Sequence, residues 1–332
     1  MIFSNKAETR SQFFHELARL TGAGISISRA SSVLNQNWRD PSVKAALHSL
    51  EKGLKEGETI SGALAPALTG MESGIVDAAE RGGKLVHGFK YLEDYYHLLG
   101  QTFTRMRAAA VYPLVMLHAA VLLPAMVAGV LAGWEVPVIG LSLALRLLVL
   151  WSVLALAGIA WRFLLKKGAH SLPVDRFLRR LPMAGRAREA LGLARWSAVV
   201  YFHVISGQRI SDGLRRAGQA SDSAGLVLAS RRAADDIEAG GEMGPALAAQ
   251  PAFPHELSGA LAAAEFTGTL DTETLQQSRY WISEAGLRLE NTSRWLSGAF
   301  YGLVMLFTVI QIFRLATGYV QMVDGFMKDI GI

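Results

Sequence analysis

The sequence predicts an all-α polytopic membrane protein with three transmembrane helices and two repeated cytoplasmic helical bundles, each of about six helices, the last running into the membrane. Three observations predict it. Two apolar runs, 111–131 and 147–165, are joined by a short connection containing Trp134, Glu135 and Pro137, and a third apolar run covers 296–316. Each run approaches the roughly 20 residues that span a bilayer's hydrocarbon, and a single-chain segment there closes its backbone hydrogen bonds internally as a helix. Strand-like alternation with turn dipeptides is absent elsewhere in the chain, while apolar residues at helical spacing recur.

The elements follow in order. Phe13, Phe14, Leu17 and Leu20 mark a first helix that stops at Thr21-Gly22-Ala23-Gly24, and Ser28 is placed to cap a second. Asp40-Pro41 supplies an N-cap and a proline for the first helical position of a third, with Leu47, Leu50 and Leu54 inward and Gly57 ending it. A short helix over 61–65 stops before Pro66, and another over about 72–81 stops at Gly82-Gly83. From Leu85 a long helix runs through Leu92, Tyr95 and Leu99 toward the membrane. The region 172–291 repeats this plan. At an offset of 183 residues Gly24 aligns with Gly207 and Gly57 with Gly240. After a two-residue slip, the turn Glu80, Gly83, Leu85 aligns with Glu265, Gly268, Leu270, and Val111 with Leu296. The predicted layout is therefore a first bundle over 1–110, spans over 111–131 and 147–165 with a short outer connection at 132–146, a second bundle over 166–295, a third span over 296–316 and a short outer tail over 317–332.

Composition narrows the function classes. The 332-residue chain is 51% hydrophobic and 18% charged, too apolar for disorder, and its lack of cysteine removes disulfides and thiolate metal sites. The polar segment 1–12 has no apolar core of a cleavable signal, so an internal span directs insertion. The net charge of +5 is explained by basic residues flanking the spans rather than by nucleic acid. Arg105 and Arg107 precede the first span, Arg162, Lys166 and Lys167 close the second, and Arg288 and Arg294 precede the third. The positive-inside rule then places the N-terminus and both bundles in the cytoplasm and the C-terminus outside, in the periplasm of a bacterium. Arg176, Arg179, Arg180, Arg186 and Arg188 read as topogenic charge near anionic headgroups, and Arg215-Arg216 as a solvated helix face.

Catalytic patterns are missing. Gly83-Lys84 is followed by Leu85 and has Ala78 where a phosphate loop needs glycine, and no two histidines are spaced to ligate a metal from one helix face. No cofactor and no metal is expected. Glu80 and Glu265 each sit just before a glycine turn, where a carboxylate is placed to accept N–H groups at the start of the following helix and lock the turn; the alternative is a contact surface for a partner or second protomer. Within the first span Pro113 and Pro124 predict bends, and His118 predicts a helix–helix hydrogen bond. Gly129, Gly133 and Gly158 are placed for close helix approach.

Four phrases carry a resemblance: Phe14-His-Glu-Leu-Ala-Arg-Leu-Thr-Gly-Ala-Gly-Ile, Gly57-Glu-Thr-Ile-Ser-Gly-Ala-Leu64, Ala79-Glu-Arg-Gly-Gly-Lys-Leu85 and Ala110-Val-Tyr-Pro-Leu114. Together with the duplication and the three spans, they resemble the type II secretion F family of inner-membrane platform proteins in type IV pilus and type II secretion machines. The second copy departs from the first at Thr267, in place of Gly82, and lacks a counterpart of Pro113. The resemblance implies no chemistry of its own, a cytoplasmic assembly ATPase and other inner-membrane assembly proteins as partners, pilin or pseudopilin as cargo, and a homo-oligomer, dimer or larger, in the lipid bilayer. It also makes the Glu80 and Glu265 turns candidate ATPase or protomer contacts. An oligomeric transporter or channel subunit is the alternative, weakened by the few polar groups within the spans.

Overall fold

A computed structural model describes residues 2–131, 133 and 135–329; Trp134 and the end of the tail, 330–332, lie outside the described residues. Fourteen helices and one 3-10 turn, Ala65–Ala67, account for the described regular structure, and no strand occurs among the described residues. The first copy consists of α1 (Ile2–Gly22), α2 (Ile27–Asn37), α3 (Pro41–Lys55), α4 (Ile60–Leu64), α5 (Gly70–Arg81) and α6 (Leu85–Leu131). Two connecting helices follow, α7 (Val136–His170) and α8 (Leu172–Arg180). The second copy is α9 (Ala184–Ile205), α10 (Ile210–Ala220), α11 (Ala224–Glu238), α12 (Met243–Ala248), α13 (His255–Thr267) and α14 (Leu270–Asp329).

Local chemistry sets the ends of these helices. Asp40 caps α3 by accepting from the Ser42 and Val43 amides, and the Ser42 hydroxyl, chief among these donors, outweighs burial and holds the Asp40 carboxyl below its usual range. The cap of α2 falls at Ser26, not Ser28, and no side-chain hydrogen bond is made there; the extended backbone of Ser26 starts the helix two residues earlier than the hydroxyl pattern predicts. The glycines that end helices behave as their type requires. Gly24, Gly57, Gly83, Gly207, Gly240 and Gly268 all have φ between 65° and 96°, a region open to glycine at no steric cost.

The chain divides into two compact units. One contains the residues up to Thr104 together with Leu164–Glu290, and so holds both copies. Its core is a single buried cluster: Phe13, Phe14 and Leu17 of α1, Leu47 and Leu50 of α3 and Phe89 of α6 are continuous with Trp196 and Phe202 of α9, Leu226 of α11 and Trp281 of α14. What the sequence presents as two bundles therefore shares one hydrophobic interior. The seam runs along α5, which packs on α9 and α10. There Arg216 Nη1 meets Asp77 Oδ2 at 2.8 Å, Gln208 donates to the Ala78 carbonyl at 3.3 Å, and Lys84 Nζ donates to the Ile205 carbonyl at 2.6 Å.

The second unit comprises Arg105–Phe163 and the chain from Asn291 onward. Three helices are long and apolar enough to cross a membrane, the stretches being Leu85–Val127, Val136–His170 and Leu270–Gly318. Val111, Leu123, Leu148, Ile159, Leu306 and Phe313 all present more than half of their surface outward. Lipid tolerates such a surface, whereas water does not. Pro113 and Pro124 lie inside α6, which stays helical through both. His118 hydrogen-bonds within its own helix, to the Leu114 carbonyl at 2.7 Å, and its ring lies 5.6 Å from that of Trp151 of α7. The helix–helix hydrogen bond predicted for it is thus a ring contact, because the carbonyl one turn back is the nearer acceptor. Gly133 turns the chain with φ 65°, and Gly158 faces open space rather than a close neighbour. The tail predicted after 316 continues as helix to Asp329, its sequence containing no proline to stop it.

Candidate functional site: the paired glutamate turns

The two turns singled out by the repeat are built alike. At the first, α5 ends on Gly82-Gly83; the Gly83 amide donates to the Glu80 carbonyl at 3.2 Å and the Lys84 amide to the Ala79 carbonyl at 2.7 Å. At the second, Gly268 donates to the Glu265 carbonyl at 3.4 Å and Thr269 to the Ala264 carbonyl at 2.9 Å. This is the glycine-closed helix end in which two otherwise orphaned carbonyls are satisfied. The same pair of bonds recurs at Gly24 and Gly207, and again at Gly57 and Gly240. Leu85 and Leu270, half-buried, open the two long helices immediately afterwards.

The glutamates reach backward rather than forward. Glu80 accepts from the amides of Ile60 at 2.6 Å and Ser61 at 2.9 Å; Glu265 accepts from those of Met243 at 2.9 Å and Gly244 at 3.1 Å. Each therefore caps the short helix that precedes its own, α4 or α12, and not the helix that follows. An antiparallel return explains the correction, since α5 and α13 bring their C-terminal ends beside the N-termini of α4 and α12. Anionic oxygens there meet both free N–H groups and the positive end of the helix dipole. The acceptor pairs match at the 183-residue offset, so the duplication extends to single hydrogen bonds.

The surroundings of the turns differ. The first lies against the other copy: a Cβ at Gly82 would fall 2.6 Å from Ser206 Cβ and 2.9 Å from Ser206 Cα. Only glycine fits that approach. Thr267, at the matching position, is exposed and bonds its hydroxyl to the Ala263 carbonyl of its own helix at 3.0 Å. The second turn is left open.

Several basic residues read as solvated are in fact bound. Arg188 and Arg179 converge on the buried carboxylate of Asp175, at 2.8 and 3.5 Å, which also accepts from the Ser223 hydroxyl and the Gly225 amide. That network fastens α8 to α9 and α11. Arg215 pairs with Glu238 and with Asp235, and Glu238 is pushed down to about 2, by Arg215 first and by Ser211. Arg216 crosses the seam to Asp77. Comparing the copies position by position is the one sequence signal for these roles, because a charge present in one copy and absent from the other marks a contact that only one copy makes.

Comparison with known proteins fits the duplicated plan. The family described as type II secretion system (T2SS), protein F matches twice, over residues 13–133 and 196–313. Each match begins within the first helix of a copy and ends in or just beyond the apolar part of its long helix. The chain is 25% identical over 277 residues to type II secretion system protein F of Aeromonas hydrophila, covering 77% of this chain and 71% of that protein. To the proteins of the same name from Pseudomonas aeruginosa and Vibrio cholerae it is 24% identical, over 295 and 276 residues, covering 80% and 77% of this chain and 70% and 68% of theirs. Because the family matches both copies and more than two thirds of the chain, with three apolar helices in common order, this multi-pass inner-membrane protein belongs to the type II secretion system protein F family.

Proposed function

We propose that the chain is a non-enzymatic inner-membrane platform that couples a cytoplasmic assembly ATPase to polymerisation of pilin or pseudopilin subunits, in type II secretion or type IV pilus biogenesis. Membership of the family makes it a secretion-system inner-membrane component; the coupling role is the further step. In this reading the N-terminus and both copies face the cytoplasm, the C-terminus faces the periplasm, and the platform works as a homo-oligomer beside other inner-membrane assembly proteins.

The observation that carries the reading is the continuity of α6 and α14. Each opens at a glycine-closed turn anchored by a glutamate, contributes buried residues such as Phe89 or Trp281 to the shared core, and continues unbroken into an apolar span. A continuous helix passes displacement along its axis, while a flexible linker absorbs it. The experiment is insertion of a flexible Gly-Ser segment after Gly100. Filament assembly is expected to be lost while co-purification with the ATPase persists; normal assembly from the inserted chain would sink the coupling role.

A further inference from the structure

The seam between the copies is made by one face of α5, with Gly74, Ala78 and Gly82 at four-residue spacing. A Cβ at Gly74 would stand 3.1 Å from the Val199 methyls, so the helices meet closely there. Asp77 is the polar centre of the seam: it takes Arg216 at 2.8 Å and Arg81 at 3.1 Å. The second copy builds the same face on α13 and leaves it bare. Gly259 stands at the position of Gly74, and a Cβ there would meet no atom within 4 Å. Phe266, at the position of Arg81, is 93% exposed, the most exposed large apolar side chain among the described residues.

A stripe of small residues would say little alone, but three matched positions change character together. Asp77 and Arg81 of α5 become Ala262 and Phe266 of α13. Arg216 of α10, which faces them across the seam, becomes Val33 of α2, which is 42% exposed. The ionic set therefore lies inside the chain and the apolar set lies on its surface. Solvent selects the opposite arrangement on a free surface, since apolar side chains are costly there and charged ones are not. The inversion is removed if the surface positions are themselves covered by the surface that carries their matched partner.

We propose that a second copy of this chain docks on α13 head to tail, its α2 face with Val33 meeting Ala262 and Phe266 as α10 meets α5 within one chain. The proposal deepens the homo-oligomeric platform reading by naming the surfaces that meet. Glu16, where the seam has Val199, keeps the rim of the contact polar and is already held by Arg19 at 2.6 Å. Each copy carries both surfaces, so the contact is heterologous: two copies close on each other if each uses both surfaces, and otherwise the array extends.

The cysteine-free sequence allows a direct test in the full-length chain. Val33→Cys and Phe266→Cys chains carrying different tags are co-expressed, and native membranes are treated with a short bismaleimide. Cross-linking is expected between the two tagged chains and at least about tenfold less in membranes holding either variant alone. In detergent, Val33→Arg is expected to lower the multimer fraction by light scattering at least about tenfold, and adding Ala262→Asp to restore it, as the ion pair of the seam does internally. Both variants should keep the wild-type melting temperature. The proposal is overturned if Phe266→Cys links mainly to itself, if it links to the ATPase or another inner-membrane protein instead, if no link forms, or if Ala262→Asp fails to rescue. Loss of ATPase co-purification with the cross-link intact would strike the platform reading and leave this contact standing.

Discussion

Glu265 shows how much one side chain holds. Its carboxylate satisfies two amides at the start of α12, a helix of only 6 residues that has no other side-chain cap. Glu265→Ala should therefore lower stability by about 1–3 kcal/mol, the usual cost of leaving buried donors unpaired, with Glu265→Gln intermediate, both read by thermal unfolding in detergent. His203 gives the pH dependence. Burial is the main cause that pushes its pKa below the usual 6.5, and its Nδ1–H already donates to the Val199 carbonyl at 2.9 Å, leaving Nε2 buried and without a hydrogen-bond partner among the described residues. A folded pKa below the unfolded one means that the unfolded chain binds more protons between the two values. Stability from this group is full above about 6.5 and is lost as pH falls toward the folded value. The melting temperature should thus drop between pH 7.5 and 5.5, and His203→Asn, which retains a donor for Val199, should flatten the drop in that window.

At the scale of helices, the two copies act as controls for each other. Gly82→Ala forces a Cβ against the Ser206 backbone and should cost about 1–3 kcal/mol of stability, while Thr267→Ala at the open turn should stay within about 0.5 kcal/mol in the same melting assay. The glycines were readable in advance because a residue type that tolerates positive φ, repeated at a fixed offset, has few reasons to be there except a turn. The glutamates were readable as anchors but not in direction. Local sequence fixes where a helix ends and says nothing of which earlier helix lies beside that end. Arg216 and Arg188 were misread for a related reason, since a charged side chain on a helix face looks solvated until the helix that covers it is known.

For the whole chain, the sidedness follows from positive charge at the ends of the spans, and single cysteines test it in an otherwise cysteine-free background. In intact cells, Lys6→Cys should resist a membrane-impermeant maleimide and a cysteine added after Ile332 should react; the reverse pattern would turn the assigned topology over. The three spans and the duplication were plain from apolar run length and internal register, whereas the merging of the copies was not, because it rests on pairings more than 100 residues apart, such as Lys84 with Ile205. That merging also bears on biosynthesis. The first copy ends by Thr104, yet the surface that covers α5 is finished only at Ala220, with α7 and its flanking apolar stretches translated in between. At ordinary elongation rates the nascent chain spends roughly 10 seconds with α5 uncovered. During that interval the insertion machinery is handling a half-built protein whose bare helix is open to chaperones, proteases and the α13 face of a neighbouring finished chain.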